Sequence, residues 1–298
     1  MPCYSSLESW PNRAADLPAT ALLNSVLLGD PDAFEVVEAI NAHMRNADGS
    51  LNSVDVALAK EQWRTLKAAY QKIGVRTSVL AAKSGLQDSC FTANPTMTLP
   101  LPNGDTHVWL ARMAHPSRKA ESEMHREFFQ AAEFEIKQLP EEVERFEGCG
   151  DAVLHPGRFL IHGGVGPRTD QRAWMALASA YSELDILTYE LVDERFYHLD
   201  TALAPLNQNY ALYVPEAFTD EGCQLLRAAF PNALALPLEE SLRFAANAHC
   251  PDGKHVLIEE ECRTTCALLE EHGFKPVPVP TSEFRKSGGS VFCLKQSY

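Results

Sequence analysis

Strand-like and helical patterns alternate along the whole 298-residue chain, and no linker is long enough to divide it. From Val54 to Ile73, apolar residues recur at three- and four-residue steps, which predicts a helix ending at Gly74. Further helices are predicted over 121–134, 171–181, 220–230 and 262–272. Strands are predicted over 21–29, 75–82 and 106–112, in a hairpin over 151–161, and in LDILTYELV, NYALYVP, HVLIEE and FKPVPVP. This order predicts a mixed α/β fold.

The spacing of these elements suggests a structural repeat. Strand-rich stretches followed by a helix recur at roughly 50-residue intervals, which lies within the range of propeller-like units. No sequence signature repeats with them, and a two-layer α/β sandwich gives a similar pattern. The spacing alone therefore leaves both architectures open.

The charge balance narrows the classes of partner. The chain has 26 Lys+Arg and 40 Asp+Glu, which gives a formal net charge of −14. This charge opposes the binding of nucleic acid and favours the binding of a small cationic substrate. No apolar run approaches the roughly 20 residues that span a bilayer, so no membrane association is expected. The first residues lack a secretory pattern, and eight cysteines suggest reduced thiols in a cytoplasmic protein. Cys262 and Cys266 lack further ligands at metal-site spacing, so no metal is predicted.

A glycine-rich stretch carries charged residues in its turns. Glycines 148 and 150 in FEGCGD leave Glu147 and Asp151 on either side of a tight turn. On this stretch alone, a hairpin entry with two solvated carboxylates is the favoured interpretation. GGVG at 163–166 lacks the lysine and the strand–loop–helix context of a nucleotide site.

Two other segments carry residues with catalytic chemistry. His198 and Asp200 stand two apart on a predicted strand and would share one face. A carboxylate beside an imidazole raises its pKa and helps it act as acid and base near neutral pH. Cys293 follows a Ser-Gly-Gly turn, and a nucleophilic cysteine needs a base or cation nearby. Taken singly, a core histidine and a buried structural thiol remain the alternatives.

Five motifs occur together in one order: FTANP (91–95), FEGCGD (146–151), GVGPRTD (164–170), DERFYHLDT (193–201) and EFRKSGGSVFCL (283–294). In this combination, from about Asn24 to Gln296, the chain resembles the guanidino-group-modifying enzymes of the pentein superfamily. These are arginine deiminases, dimethylarginine dimethylaminohydrolases, amidinotransferases and arginine dihydrolases. The resemblance implies a five-bladed, pseudo-symmetric ββαβ propeller with the active site in its central channel. A single catalytic domain would cover 21–298, and residues 1–20 would form a flexible extension.

The resemblance also implies roles for individual residues. Cys293 attacks the guanidinium carbon, His198 protonates the departing amine and then activates water, and Glu147 orients His198. The substrate-binding residues that it implies are Asp200, Asn94, Arg118, Arg168, Asn41 and Asp88. Of these, Asp200 binds the guanidinium, and the planar forks of Arg118 and Arg168 suit the substrate carboxylate, with Arg112 as the alternative to Arg118. The implied partner is a small guanidino compound, arginine or a derivative, and no metal or organic cofactor is required.

Two asparagines favour one branch of the superfamily. Asn94 stands where deiminases and dimethylarginine hydrolases usually have aspartate, and an amide tolerates a neutral ureido group as well as a cation. INAHM (40–44) resembles the INPxM segment of arginine dihydrolases, in which an asparagine matching Asn41 favours a second hydrolysis. The resemblance therefore favours an arginine dihydrolase, which converts arginine to ornithine, carbon dioxide and two ammonia. Dimethylarginine dimethylaminohydrolase, arginine deiminase, amidinotransferase and a non-catalytic guanidino-compound binding protein remain alternatives.

Overall fold

A computed structural model describes residues 3–298 of the chain. Within this range it contains fifteen strands: β1 (Cys3–Tyr4), β2 (Ser25–Gly29), β3 (Arg76–Leu80), β4 (Thr96–Pro100), β5 (Thr106–Leu110), β6 (Glu135–Lys137), β7 (Ala152–Leu154), β8 (Leu160–Val165), β9 (Asp185–Glu190), β10 (Leu203–Pro205), β11 (Ala211–Tyr213), β12 (Leu234–Ala235), β13 (His255–Glu259), β14 (Lys275–Val279) and β15 (Lys295–Ser297). The same residues contain eight α-helices: α1 (Val56–Lys72), α2 (Glu121–Ala131), α3 (Gly148–Asp151), α4 (Gln171–Ala180), α5 (Asp220–Ala229), α6 (Leu238–Ser241), α7 (Arg263–Glu271) and α8 (Ser282–Arg285). The predicted mixed α/β class is confirmed.

One unit recurs in the strand pairing: two antiparallel strands, a helix, and a third strand parallel to the second. β4 pairs antiparallel with β5, and β5 pairs parallel with β6, which follows α2. β7, β8 and β9 repeat this order around α4, and β10, β11 and β12 repeat it around α5. β15, β2 and β3 form the same unit around α1, although β15 comes from the other end of the chain.

The remaining sheet shows the same unit with a reduced first strand. β13 and β14 pair in parallel on either side of α7, and His249 forms an isolated antiparallel bridge to Leu257 of β13. The described residues thus form five sheets: four have the ββαβ pairing, and in the fifth the first strand is reduced to a single bridge. The sheet of the third unit gains β1 as an additional edge strand, parallel to β9.

Of the five long helices, α1 and α5 begin at a residue whose side chain caps the first turn, whereas α2, α4 and α7 have no side-chain cap. The carboxylate of Asp55 accepts from the backbone N of Leu58 at 3.0 Å and so caps the first turn of α1. One face of α1 buries Trp63, Leu66 and Tyr70, and the chain then turns at Gly74 with φ +86°. Each of the five predicted helices is present, and each observed end lies within three residues of the predicted one.

Two sequence-based expectations need correction. His198 and Asp200 do not lie on a strand: His198 directly precedes a single 3₁₀ turn, Leu199–Thr201. Residues 3–20, expected to be part of a flexible extension, pack against the body of the protein. Trp10 is 5% exposed within the main apolar cluster, and its Nε1 donates to Asp185 at 2.8 Å.

The helices of residues 3–298 include none with the length and apolar character that crossing a membrane requires.

Candidate active site

Cys293 follows a turn whose glycines leave no space for side chains. Gly288 has φ +88°, and a Cβ added there would lie 2.7 Å from Oδ1 of Asn41. A Cβ at Gly289 would lie 2.5 Å from the ring of Phe91. Cys293 itself is 2% exposed. The close approach of this turn to Asn41 and Phe91 therefore fixes the position of the thiol.

Asn247 holds the backbone around Cys293. Its Oδ1 accepts hydrogen bonds from the backbone N of Ser290, Phe292 and Cys293, at 3.0, 3.1 and 3.2 Å. Its Nδ2 donates to Sγ of Cys293 at 3.2 Å and to the carbonyl of Asp200 at 2.9 Å. Sequence reasoning missed Asn247. The available signal was a single amide in the run of small apolar residues in FAANAHC, since a buried amide needs hydrogen-bond partners.

Glu147, His198 and Arg168 form a buried charged group. Nε2 of His198 lies 2.8 Å from Oε2 of Glu147, and Arg168 donates to the same oxygen at 3.0 Å. Burial opposes ionisation of Glu147, but the hydrogen bond and charge of His198, with the charge of Arg168, lower its pKa to about 2. An ionised carboxylate only accepts, so Nε2 of His198 carries a proton and Nδ1 faces away from Glu147.

One carboxylate oxygen of Asp200 is bound to the Cys293 thiol, and the other has no partner among the described residues. Sγ of Cys293 donates to Oδ2 of Asp200 at 3.2 Å, while Oδ1 has no hydrogen-bond partner among residues 3–298. Burial raises the pKa of Asp200 to about 6, against the charge of His198. Burial and the Asp200 carboxylate together raise the pKa of Cys293 well above its usual value. The resting thiol is therefore protonated, and one carboxylate oxygen remains available to a cation.

Asn94 lies between Arg118 and His198. Its Nδ2 is 3.5 Å from Nδ1 of His198, and its Oδ1 accepts from Nη1 of Arg118 at 3.1 Å. Arg118 is 4% exposed, forms an ion pair with Glu121 at 2.7 Å and donates to two backbone carbonyls. Of its five N–H donors, these bonds leave one on Nη1.

Arg168 retains more free donors than Arg118. Its Nη1 binds Glu147 and its Nη2 binds the carbonyl of Ile40 at 2.6 Å, while its Nε forms no hydrogen bond within residues 3–298. Its guanidinium carbon lies 5.1 Å from the centre of the Tyr197 ring. Arg112, the alternative to Arg118, donates instead to backbone carbonyls of residues 139–143.

Asn41 and Asp88 are joined through Ser287. Nδ2 of Asn41 donates to the carbonyl of Ser287 at 3.0 Å, and Oδ1 accepts from the backbone N of His43 at 2.9 Å. The hydroxyl of Ser287 donates to Asp88 at 3.2 Å. Burial raises the pKa of Asp88, and the charge of Arg118 opposes this.

These side chains surround one cavity of about 260 Å³ of non-atom space, the Cys293 cavity. It is lined by Ile40, Asn41, Met44, Asp88, Phe91, Asn94, Arg118, Arg168, Tyr197, Ser287 and Cys293. Six of the nine residues predicted for the site are among them. The other three, Glu147, His198 and Asp200, are hydrogen-bonded to lining residues. The structure thus brings all nine together.

The FEGCGD turn is part of this arrangement. Glu147 and Asp151 are 0% and 2% exposed, so the interpretation as solvated carboxylates is wrong. Asp151 accepts from the hydroxyl of Thr169 at 2.7 Å and from the backbone N of Leu199 at 3.0 Å, which fixes the segment carrying His198. Within residues 3–298, no group of three or more His, Cys, Asp or Glu side chains is placed to hold a metal ion.

Comparison with known proteins places the chain in a family. The model of the eukaryotic N,N dimethylarginine dimethylhydrolase family matches residues 30–296. An N(G),N(G)-dimethylarginine dimethylaminohydrolase of Mycobacterium tuberculosis is 35% identical over 264 residues, 88% of this chain and 82% of the relative. The bifunctional arginine dihydrolase/ornithine cyclodeaminase ArgZ of Synechocystis is 32% identical over 273 residues, 90% of this chain. The match spans only 37% of that bifunctional protein.

A solved structure shares the fold. The N-terminal domain of ArgZ, as a cysteine-to-serine mutant bound to substrate, superposes with a TM-score of 0.84 at 28% identity and covers 92% of this chain and 97% of that domain. Sequence family, relatives and fold agree. The chain belongs to the dimethylarginine dimethylaminohydrolase family, within the pentein superfamily of guanidino-group-modifying enzymes.

Proposed function

We propose that the protein hydrolyses the guanidino C–N bonds of arginine through a covalent intermediate on Cys293 and acts as an arginine dihydrolase. One observation carries the choice of branch: an amide, Asn94, stands between Arg118 and His198 in the cavity that contains the thiol. An amide offers both a donor and an acceptor, so it suits a neutral ureido group as well as a guanidinium. The likeness to ArgZ, a bifunctional arginine dihydrolase/ornithine cyclodeaminase, supports the same choice.

In this proposal the two ends of arginine bind groups of opposite charge. The guanidinium donates hydrogen bonds to the unpartnered Oδ1 of Asp200, and Asp88 lines the same cavity. The substrate carboxylate pairs with Arg168, which has the more free donors, while Arg118 contributes positive charge and one N–H. The carboxylate of Glu147 keeps His198 in the orientation needed for proton transfer.

The first round replaces one nitrogen. The positive charge of the bound guanidinium offsets Asp200 and lowers the pKa of the thiol, which passes its proton to His198. The Cys293 sulfur bonds to the guanidinium carbon, and the tetrahedral adduct expels ammonia, which takes a proton from His198. Water activated by His198 then attacks the same carbon, breaks the C–S bond and releases citrulline.

In the second round the sulfur, left as a thiolate when the C–S bond breaks, attacks the ureido carbon of citrulline while citrulline is still in the cavity. A second ammonia leaves, water releases the remaining carbon as carbon dioxide, and ornithine is formed. The sum is arginine plus two water giving ornithine, carbon dioxide and two ammonia. Asn41, which holds the carbonyl of Ser287 beside the nucleophile turn, is assigned to this second hydrolysis.

A second candidate has direct support. The matching family model and the mycobacterial relative both carry the dimethylarginine hydrolase name. The same residues would release dimethylamine from dimethylarginine in a single round. Arginine deiminase chemistry also stops after one round, and an amidinotransferase would pass the amidino group from Cys293 to an amine. A binding protein without turnover would have no use for the thiol and imidazole.

We also infer the setting of the site. The five sheets would be five blades of a pseudo-symmetric propeller that surrounds the Cys293 cavity, within a single catalytic domain. The eight cysteines, all of which lie in the described residues, carry free thiols, which fits a cytoplasmic enzyme.

The end products distinguish these activities. Purified protein is incubated with arginine and, separately, with dimethylarginine, and ornithine, citrulline, ammonia and dimethylamine are measured. We expect two ammonia per ornithine from arginine. Accumulation of citrulline as the final product would instead identify a deiminase, and dimethylamine release without arginine turnover would identify the dimethylarginine enzyme. The Cys293→Ser variant should bind arginine without turnover, and the Cys223→Ser variant, altered at a thiol outside the Cys293 cavity, should keep full activity.

The Asn94→Asp variant tests the branch assignment. A carboxylate at this position still accepts from Arg118, but it cannot donate to a neutral ureido group. We expect citrulline to accumulate and ornithine formation to fall at least tenfold, with the first ammonia released at a similar rate. An unchanged ornithine yield would contradict the branch assignment based on Asn94.

The Asn41→Asp variant should stall the reaction at citrulline in the same assay.

A further inference from the structure

A second cavity, with about 760 Å³ of non-atom space, lies apart from the Cys293 cavity and shares no lining residue with it. We call it the Lys295 cavity. Its apolar walls include Leu22, Leu23, Leu99, Val153, Leu154 and Phe292. The catalytic proposal makes no use of it.

The side chain of Lys295 is buried in the wall of this cavity without a polar partner. Lys295 is 3% exposed, and its ammonium forms no hydrogen bond or ion pair within residues 3–298. Its Nζ lies 3.3 Å from the centre of the Phe292 ring, and the Asp200 carboxylate, too far away for an ion pair, acts on it through its charge. A buried ammonium without oxygen partners is unfavourable, and burial lowers the pKa of Lys295 to about 8. At neutral pH the group is still mostly charged.

The other charged group of the cavity is also a cation. Arg158 lines it, and its Nε is buried without a hydrogen-bond partner among the described residues. No aspartate or glutamate lines the cavity, although the chain as a whole has a net charge of −14. His155 and His249 also face it, but burial lowers the pKa of His155 to about 3 and that of His249 well below its usual value, so both are neutral.

We propose that the Lys295 cavity binds a small organic anion, a carboxylate on a hydrocarbon body. The carboxylate would supply the oxygen partners that Lys295 lacks, with Arg158 adding positive charge, and the hydrocarbon would pack against the leucines, Val153 and Phe292. Inorganic phosphate matches the cations but not these apolar walls. A neutral alcohol of the same length matches the walls but leaves the ammonium unpartnered.

Binding of octanoate tests the proposal without any catalytic assay. Titration calorimetry on the purified full chain should show one octanoate per protein, with octan-1-ol and inorganic phosphate each binding at least tenfold more weakly. The Lys295→Met variant keeps an apolar chain of similar length beside Phe292 and should lose octanoate affinity at least tenfold. Lys83→Met, at an exposed lysine outside the cavity, should leave it unchanged. Equal affinity for octanoate and octan-1-ol, absence of octanoate binding, or equal affinity in Lys295→Met would each overturn the proposal.

A second pair of variants covers the case in which Lys295→Met does not fold. Leu22 lines the cavity and is 52% exposed, so a charge at this position can be tolerated. Leu22→Glu places a negative charge beside the bound anion and should weaken octanoate several-fold, whereas Leu22→Lys should preserve or strengthen binding. Identical affinities in the two variants would contradict the anion site. Since arginine turnover enters none of these measurements, failure of the proposed hydrolase function would not be mistaken for failure here.

Discussion

The negative charge of Asp200 has opposite effects on the Cys293 thiol and on the substrate cation: it opposes ionisation of the thiol and attracts the cation. Its Oδ2 accepts a hydrogen bond from the thiol of Cys293, and its Oδ1 is free to bind a cation. While it is ionised it keeps the thiol protonated, because a negative charge beside sulfur opposes thiolate formation. A cationic substrate reverses this effect by neutralising the carboxylate. The arrangement therefore couples nucleophile activation to the charge of the substrate.

This coupling predicts a loss of activity in acid. Burial raises the pKa of Asp200 to about 6, so Asp200 takes up a proton and loses its charge as the pH falls through that value. We expect kcat/KM for arginine to fall about tenfold per pH unit below about 6, through loss of guanidinium binding. Initial rates from about pH 4.5 to 7.5 would measure this. Circular dichroism over the same range serves as the control for unfolding, and a profile that stays flat below pH 6 would contradict the role of Asp200.

At the scale of single residues, the reacting groups could be predicted from the sequence, but the residue that positions them could not. Cys293, His198 and Glu147 belong to motifs, and the structure brings them into one cluster. Asn247 does not belong to any of them, yet five of its hydrogen bonds reach the nucleophile segment and Asp200. Those bonds join residues more than 40 positions apart. Sequence spacing holds no information on such contacts, so positioning residues of this kind emerge only from the folded chain.

The nucleophile turn can be tested as an element because the chain offers a matched glycine elsewhere. Gly288 and Gly273 have φ values of +88° and +83°, but a Cβ meets Asn41 at the first and nothing within 4 Å at the second. Gly273→Ala should cost about 1–2 kcal/mol for the left-handed backbone alone. Gly288→Ala should cost a further 1–3 kcal/mol or so from crowding and should also impair turnover. Urea unfolding of both variants measures the difference, and equal costs would show that the turn tolerates the displacement of Asn41.

Element prediction succeeded where a pattern was long and failed where it was short. Helix α1 is 17 residues long, with an apolar face along its length and a capping aspartate before its first turn, so both its periodicity and its ends could be predicted. β10, β12 and β15 have two or three residues each, too few for an alternation to be recognised. The segment that carries His198 and Asp200 is predicted as a strand. It is a 3₁₀ turn because Asp151, distant in sequence, binds the backbone N of Leu199.

At the scale of the whole molecule, both chain ends are built into sheets whose other strands lie far away in sequence. β15 pairs with β2, so the unit that begins at Ser25 is completed only by residues 295–297. β1 adds to β9 in the same way. Two of the five sheets therefore depend on contacts between distant parts of the chain. Unfolding of either end should consequently weaken the whole domain rather than fray it locally.

Trp10 provides the test of this view at the N-terminal end. Its ring is 5% exposed in the largest apolar cluster, and its Nε1 binds Asp185 at the start of β9. Trp10→Ala should lower the free energy of unfolding by about 3–5 kcal/mol, the usual cost of removing a buried aromatic side chain. Leu7→Ala, at a side chain that is 45% exposed, should change it by less than about 0.5 kcal/mol. Urea unfolding followed by far-UV circular dichroism measures both. If residues 1–20 were a loose extension, the two variants would be equally stable, and the domain would begin only at β2.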